Sequence, residues 1–284
     1  MRIAALAVVL AECAFAQTQS APDVQEIMDR VAKSQTASID ARKTFVYDQE
    51  ELVRMKRPGG KVAREERVTY TVLPSDSGVS RQLVNCDGKY ELKGHFISYA
   101  QPGYHYKGLD IDGDLMGSFE DSTGESKALD GISHDYFPLT AERQAKYEFT
   151  LEGTETVKGR RVYRIRFGPR DKTSIFDDDD GDSAAWKGVA LIDAQDYQPV
   201  SVDTQLAGRV PLAVKILLGT DIRGLGFSIS YQKVADGIWF PVSFGGEFEV
   251  RGLFLYRRNI SVSLVNKNFR RADVTSTVAY SPIQ

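Results

Sequence analysis

Two periodicities divide the chain. Val24, Ile27, Met28 and Val31 recur at the 3.6-residue spacing that places them in one stripe of a helix. Asp23 stands where the N-cap belongs, and Glu26 three residues on completes a capping-box pattern. The spacing predicts an amphipathic helix over Asp23–Ser34 that fades near Ser34–Thr36. From Thr44 onward the period is two. The runs 45–55 and 61–73 flank the turn Arg57-Pro58-Gly59-Gly60, a hairpin signal. Further strands are predicted over 79–87, 90–93, 96–100, 147–155, 160–167, 186–193, 199–206, 212–218, 227–234, 239–244, 248–256 and 260–265. Residues 107–136 are weakly periodic and rich in Asp, Gly and Ser, which predicts a long loop, and 138–146 suits a short helix capped by Thr140.

Strands joined in sequence by short turns predict an antiparallel meander, and no strand–helix–strand rhythm points to parallel pairing. Most strands alternate, so one face is buried and the other wet. A sheet this long must curl or fold over. The expected fold is therefore mainly β: a curled antiparallel sheet, or half-open β-barrel, with the N-terminal amphipathic helix packed in or across its concave face.

The ends alter the picture. Arg2, the apolar run Ile3–Ala11 and Ala14-Phe15-Ala16 have the layout of a secretory signal peptide, residues 1–16, cleaved after Ala16. The apolar run is about half the ~20 residues that span a bilayer. Leu10-Ala11-Glu12-Cys13 has the outline of a lipoprotein box, but charged Glu12 occupies the small-residue position, so a free periplasmic form is favoured over outer-membrane tethering through Cys13. Residues 17–22 read as a flexible leader and 23–284 as one domain. Formal net charge is −3, with no basic block to attract nucleic acid. Of two cysteines only Cys86 survives cleavage, so no internal disulfide is available and packing must hold the fold.

No catalytic constellation emerges. Ser133-His134-Asp135 has triad composition, but consecutive residues of an extended chain point to opposite sides. His95, His105 and His134 show no metal-ligand spacing. Asp110-x-Asp112-x-Asp114 matches the start of an EF-hand loop, yet Leu115 stands where glycine is needed and Asp121 where glutamate is. Both this patch and Asp177–Asp182 read as solvated loops, with calcium binding left open. Arg160, Arg161, Arg164, Arg166 and Arg170 read as the wet face of a hairpin, a phosphate or anionic-lipid patch being the alternative. The runs 211–218 and 253–256 are apolar on both parities, so each is covered on both sides, by protein or by the lining of a lipid-sized cavity.

Several segments then fall into a known order. Gly159-Arg160-Arg161-Val162-Tyr163-Arg164-Ile165-Arg166-Phe167 is followed by Trp186-Lys187-Gly188-Val189-Ala190-Leu191-Ile192-Asp193, by Gln198-Pro199-Val200, and by Asp236-Gly237-Ile238-Trp239-Phe240-Pro241. With the secretory start and the helix, this resembles the outer-membrane lipoprotein-sorting superfamily: the periplasmic lipoprotein carrier, its outer-membrane receptor and the RseB-like sensor of envelope stress. The resemblance covers about 145–270. It implies a half-open barrel whose apolar interior takes up acyl chains, without catalytic residues or cofactor. The expected function is a non-enzymatic periplasmic binding protein for lipid or lipoprotein acyl chains. The inward parity would line its cavity: Tyr163, Ile165, Phe227, Ile229, Tyr231, Ile216 and Phe254. The alternative is an envelope sensor that docks a protein partner on the curved sheet. Transient membrane contact suits either reading.

Overall fold

The computed structural model describes residues 22–75, 78–124, 139–170, 186–207, 221–252 and 255–272. The signal peptide, most of the leader, Ser133-His134-Asp135, Asp177–Asp182, Ile216, Phe254 and the expected strand 212–218 lie outside them.

Helix α1 (Val24–Arg42) opens the fold, followed by β1 (Phe45–Lys56), β2 (Val62–Ser75), β3 (Gly78–Leu92) and β4 (His95–Tyr99). Helices α2 (Ile111–Gly124) and α3 (Ala141–Gln144) occupy the connection to β5 (Tyr147–Val157) and β6 (Arg160–Pro169). The remaining strands are β7 (Trp186–Asp193), β8 (Pro199–Leu206), β9 (Asp221–Arg223), β10 (Gly226–Ala235), β11 (Ile238–Arg251) and β12 (Arg257–Arg271). They form one antiparallel sheet in the order β4-β3-β2-β1-β12-β11-β10-β8-β7-β6-β5, with β9 paired to β11. The expected mainly-β architecture is present. The sheet keeps two edges, β4 and β5, rather than closing into a barrel.

Two glycine-bearing breaks expected within strands are absent. β3 runs straight through Gly88, because the ring of Tyr99 lies where a Cβ would stand. β11 runs through Gly245 and Gly246, where a Cβ would meet the carbonyls of Val262 and Gly226. These glycines permit close approach inside the sheet, whereas turn glycines such as Gly59 and Gly60 supply positive φ. The expected loop 107–136 is also corrected, since α2 lies within it.

Helix α1 is longer than its apolar stripe predicted. Its N-cap forms as expected, with Asp23 accepting from the Gln25 amide. Glu26, however, pairs forward with Arg30 instead of reaching back to close a box. Ile27, Met28 and Val31 sink among Tyr147, Tyr163, Ile165, Ile192, Val202, Ile229, Phe244 and Leu264, on one face of the sheet. The same stripe continues as Gln35, Ser38 and Arg42, all buried. Apolar periodicity cannot register this polar half.

Those polar groups are met individually. Gln35 Nε2 donates to Gln198 Oε1 at 2.5 Å, and Gln198 Nε2 donates to the Ser34 carbonyl at 2.8 Å. Arg42 Nε donates to the Trp239 carbonyl at 2.5 Å, while the Trp239 amide donates to Ser38 Oγ at 3.4 Å. A buried polar group without its partner costs about 1–3 kcal/mol. Replacing Gln198 by Ala is therefore expected to lower unfolding free energy by about 2 kcal/mol, read as a lower urea midpoint at unchanged m-value. An unchanged midpoint would show that this seam adds nothing to helix docking.

Candidate functional site

The expected cavity-lining residues fall in two places. Tyr163 and Ile165 of β6 and Phe227 and Ile229 of β10 share one buried cluster, packed against Ile27, Met28 and Val31 of α1. Tyr231 lies partly buried at its margin, with the Arg42 guanidinium 5.9 Å from its ring centre. The helix fills the space over these residues.

The same sheet face continues beyond α1. There Val53 and Met55 of β1, Phe248 and Val250 of β11 and Ile260 of β12 form a second apolar floor. Helix α2 covers it with fully buried Met116 and adjoining Leu115. Leu225 and Val262 touch both clusters, and Phe227 bridges them, stacked on Phe244 at 4.8 Å and edge-on to Phe248 at 6.5 Å.

The first turn of α2 is positioned by polar contacts. Asp110 is its N-cap: Oδ1 accepts from the Gly113 amide at 2.8 Å, and Oδ2 from the Tyr106 amide and Arg64 Nη2 at 3.1 and 2.9 Å. Arg64, on β2, has no exposed surface, and its Nη1 also donates to the Tyr104 carbonyl. Its guanidinium sits 5.3 and 5.5 Å from the ring centres of Tyr90 and Tyr99, inside a stack that includes Tyr104 and Tyr106. Two residues on, Asp112 accepts from the Tyr256 hydroxyl at 2.6 Å and from Arg258. Burial, reinforced by the Asp112 carboxylate, pushes the Tyr256 phenol well up, so it stays a donor. Asp114 meets His105 Nε2 at 2.9 Å. The carboxylates Asp110, Asp112 and Asp114, read as a solvated loop or as calcium ligands, are thus a helix cap, a partner of Arg258 and a partner of His105. That pattern was readable: acidic groups favour a helix N-terminus. A cleft of about 290 Å³ opens beside them between Arg57, Tyr90, Leu109, Tyr256 and Arg258.

The motif segments also converge. Asp193, ending β7, accepts from Arg160 and from the amides of Gln195 and Asp196. Asp196 Oδ2 then accepts from Arg160, Lys233 and Trp239 Nε1 at 3.0, 3.3 and 3.1 Å. This clasp fixes Gln198 and Trp239, the two residues that hold the second half of α1. Arg164 and Arg166 pair with Glu152 across the wet face of the hairpin, as the alternation predicted.

The opposite face of the sheet carries a larger open groove, about 1200 Å³, lined by Glu148, Arg166, Lys187, Asp203 and Glu247 over Gly245 and Gly246. Its charges are mixed, and Phe167, Val189 and Phe227 also line it. Among the described residues no group of three or more His, Cys, Asp or Glu side chains is placed to hold a metal ion.

The chain is similar in fold to outer-membrane lipoprotein-sorting proteins. A lipoprotein-sorting protein domain from Vibrio parahaemolyticus aligns over 88% of this chain and 95% of its own, with 12% identity and a TM-score of 0.36. The lipoprotein LppX of Mycobacterium tuberculosis aligns over 90% and 100%, with 11% identity and a TM-score of 0.27. MucB, in a Pseudomonas aeruginosa structure of the MucA/MucB complex, is among the similar folds; that structure aligns over 85% and 98%, with 11% identity and a TM-score of 0.25. No family model and no curated protein matches the sequence.

The clasp generates a pH dependence. Burial alone would raise the Asp193 carboxyl, but Arg160 and the two backbone amides outweigh it and hold it below the ordinary range. A depressed carboxyl contributes stability that is complete above its unfolded pKa, near 4, and lost as pH falls through its lower folded value. Wild-type unfolding free energy is expected to drop on acidification below about pH 4, and Asp193→Asn to flatten that drop while costing about 2 kcal/mol at pH 7. Urea titrations at pH 7, 4 and 3 check both; parallel curves for the two proteins would exclude Asp193 as the group responsible.

Proposed function

We propose that the chain is exported, is cleaved after Ala16, and serves in the periplasm as a non-enzymatic binding protein for lipid or lipoprotein acyl chains. The observation that carries this reading is the unequal cover of one apolar sheet face. Helix α1 is set into its half by three large apolar side chains and a buried hydrogen-bonded seam. Among the described residues, helix α2 rests on Val53, Met55, Phe248, Val250 and Ile260 through Leu115 and Met116, and its first turn is held by carboxylates on arginine, histidine and tyrosine.

The exposed contact of Asp114 with His105 exchanges readily for water, while the buried Arg64–Asp110 pair keeps the start of α2 in place. Buried apolar surface returns about 25 cal/mol per Å² when recovered by another apolar group. An acyl chain entering beneath α2 would restore the apolar contact that Met116 gives up. Phe227 then stands at the inner limit of the site, with Tyr163, Ile165 and Ile229 beyond it under α1 and Tyr231 at the margin. The protein's own part is to shield the chain from water and to release it by moving α2, and no bond is made or broken.

Native mass spectrometry of the purified chain is expected to show co-purifying lipid, and the delipidated chain to take up a fluorescent fatty acid. Asp112→Asn, which weakens the hold of Tyr256 and Arg258 on α2, should speed uptake several-fold with the fold intact by circular dichroism. No lipid in the purified chain, together with no uptake by either protein, would overturn the reading.

A further inference from the structure

Three turns of the sheet lie at one end. They join β1 to β2 at Arg57–Lys61, β3 to β4 at Lys93-Gly94, and β11 to β12 between Gly252 and Tyr256. Strand pairing sets them side by side, since Lys56 stands opposite Asn259 and Arg64 opposite Tyr90. The start of α2 joins the group, because Leu109 lines one cleft with Arg57, Lys93 and Tyr256.

This end carries exposed leucines. Leu255 is fully exposed in the β11–β12 link, Leu109 is 79% exposed ahead of α2, and Leu92 beside the β3–β4 turn adds a third. Leu255 also holds a positive φ of 65°, a left-handed conformation that a Cβ disfavours, yet its side chain lies wholly in water. The backbone of these turns is closed on itself. The Arg57 amide donates to the Lys61 carbonyl and the Gly252 amide to the Tyr256 carbonyl, both at 2.8 Å. Those groups can meet an apolar medium without losing their partners.

The charge at this end opposes that of the whole chain, which is −3. Arg57 and Lys61 share the single carboxylate of Glu91, and Arg251 and Arg257 share that of Glu249. The carboxylates lie beneath, 6% and 17% exposed, while Lys61 and Arg257 are 61% and 45% exposed. Lys93 adds a further cation at the turn between β3 and β4. Apolar insertion and attraction to anionic lipid add together in holding a protein reversibly at a bilayer surface.

We propose that this end of the sheet docks on an anionic lipid bilayer, with Leu109 and Leu255 entering the interface and Arg57, Lys61, Lys93 and Arg257 at the level of the headgroups. A second copy of the chain fits poorly, because a two-fold contact would set the same positive ends against each other. Docking here brings the start of α2 and the cleft beside it to the lipid. The inference does not depend on the acyl-chain reading, since a protein can rest on a bilayer without taking lipid from it.

The test uses the chain from Gln17 onward, which keeps every described residue and removes the apolar run Ile3–Ala11 as a membrane binder. Flotation with vesicles of phosphatidylcholine and phosphatidylglycerol is expected to show binding at least tenfold tighter than with phosphatidylcholine alone, and weaker as salt is raised above about 0.1 M. Leu109→Ser combined with Leu255→Ser, and Lys61→Gln combined with Lys93→Gln, should each weaken binding at least tenfold. Leu83→Ser, in the middle of β3, and Lys158→Gln, at the far end of the sheet, should leave it unchanged. Circular dichroism establishes that the variants are folded. No binding, equal binding to both vesicle types, or equal loss in Leu83→Ser and Lys158→Gln would overturn the proposal. So would sedimentation showing a dimer that the paired leucine substitutions dissociate, which would make a second copy the occupant.

Discussion

Everything in this fold rests on one constraint: an open antiparallel sheet has an apolar face that must be covered, and α1 covers its larger half. Burying Ile27, Met28 and Val31 contributes about 1.5–3 kcal/mol each. The hydrogen bonds of Gln35, Ser38 and Arg42 contribute about 1 kcal/mol each. The apolar turn therefore decides that the helix docks. The polar turns decide where, because sliding α1 by one residue would leave three buried polar groups without partners. Trp239 serves both functions, receiving Arg42 on its carbonyl and tying its indole to Asp196.

The cover over the second half follows a different logic. Arg64 and Asp110 are fully buried, and a buried ion pair returns little net stability once desolvation is counted. What it gives is position: Asp110 caps α2 while its other oxygen is fixed to β2, so the helix starts at one place above the sheet. Removing either partner would leave an uncompensated charge among Tyr90, Tyr99 and Tyr104. Among the described residues the apolar share of the attachment falls to Met116 and Leu115. One face of one sheet therefore carries a helix seated by apolar side chains beside one whose start is fixed by a buried ion pair.

The strands were legible because half-burial writes itself as alternation; β7 and β8 have the predicted limits, Trp186–Asp193 and Pro199–Leu206. The misread stretches share a cause, which is meaning that depends on a distant partner. Gly88 looks like a turn until Tyr99 lies on it, and Gly246 until Gly226 approaches. Gln35 and Arg42 look like the solvated end of a helix until Gln198 and Trp239 meet them. Asp110 and Asp112 look like a calcium loop until Arg64, Tyr256 and Arg258, 46 to 146 residues away, claim them. Tyr163, Ile165, Phe227 and Ile229 were placed on the inward face by parity alone. Parity cannot say that a helix occupies the space above them.

The strand order explains why the covers exist at all. β1 to β4 step outward from the centre to one edge, and β5 to β12 step inward from the other until β12 meets β1. Every link between consecutive paired strands is local. The step from β4 to β5 is the exception, since it joins opposite edges of the sheet. A connection that long must pass over a face, and it carries α2 and α3 as it does so. Gln144 of α3 donates to the carbonyls of Met28 and Leu139, tying the end of the crossing to α1 just before β5 begins. Helix α2 is thus part of the crossover that the topology requires. It lies above apolar residues because that face is the one left open. The same path leaves β4 as the point of departure, with no chain laid along its outer edge among the described residues. A covered apolar face and a bare strand edge are two consequences of one connection.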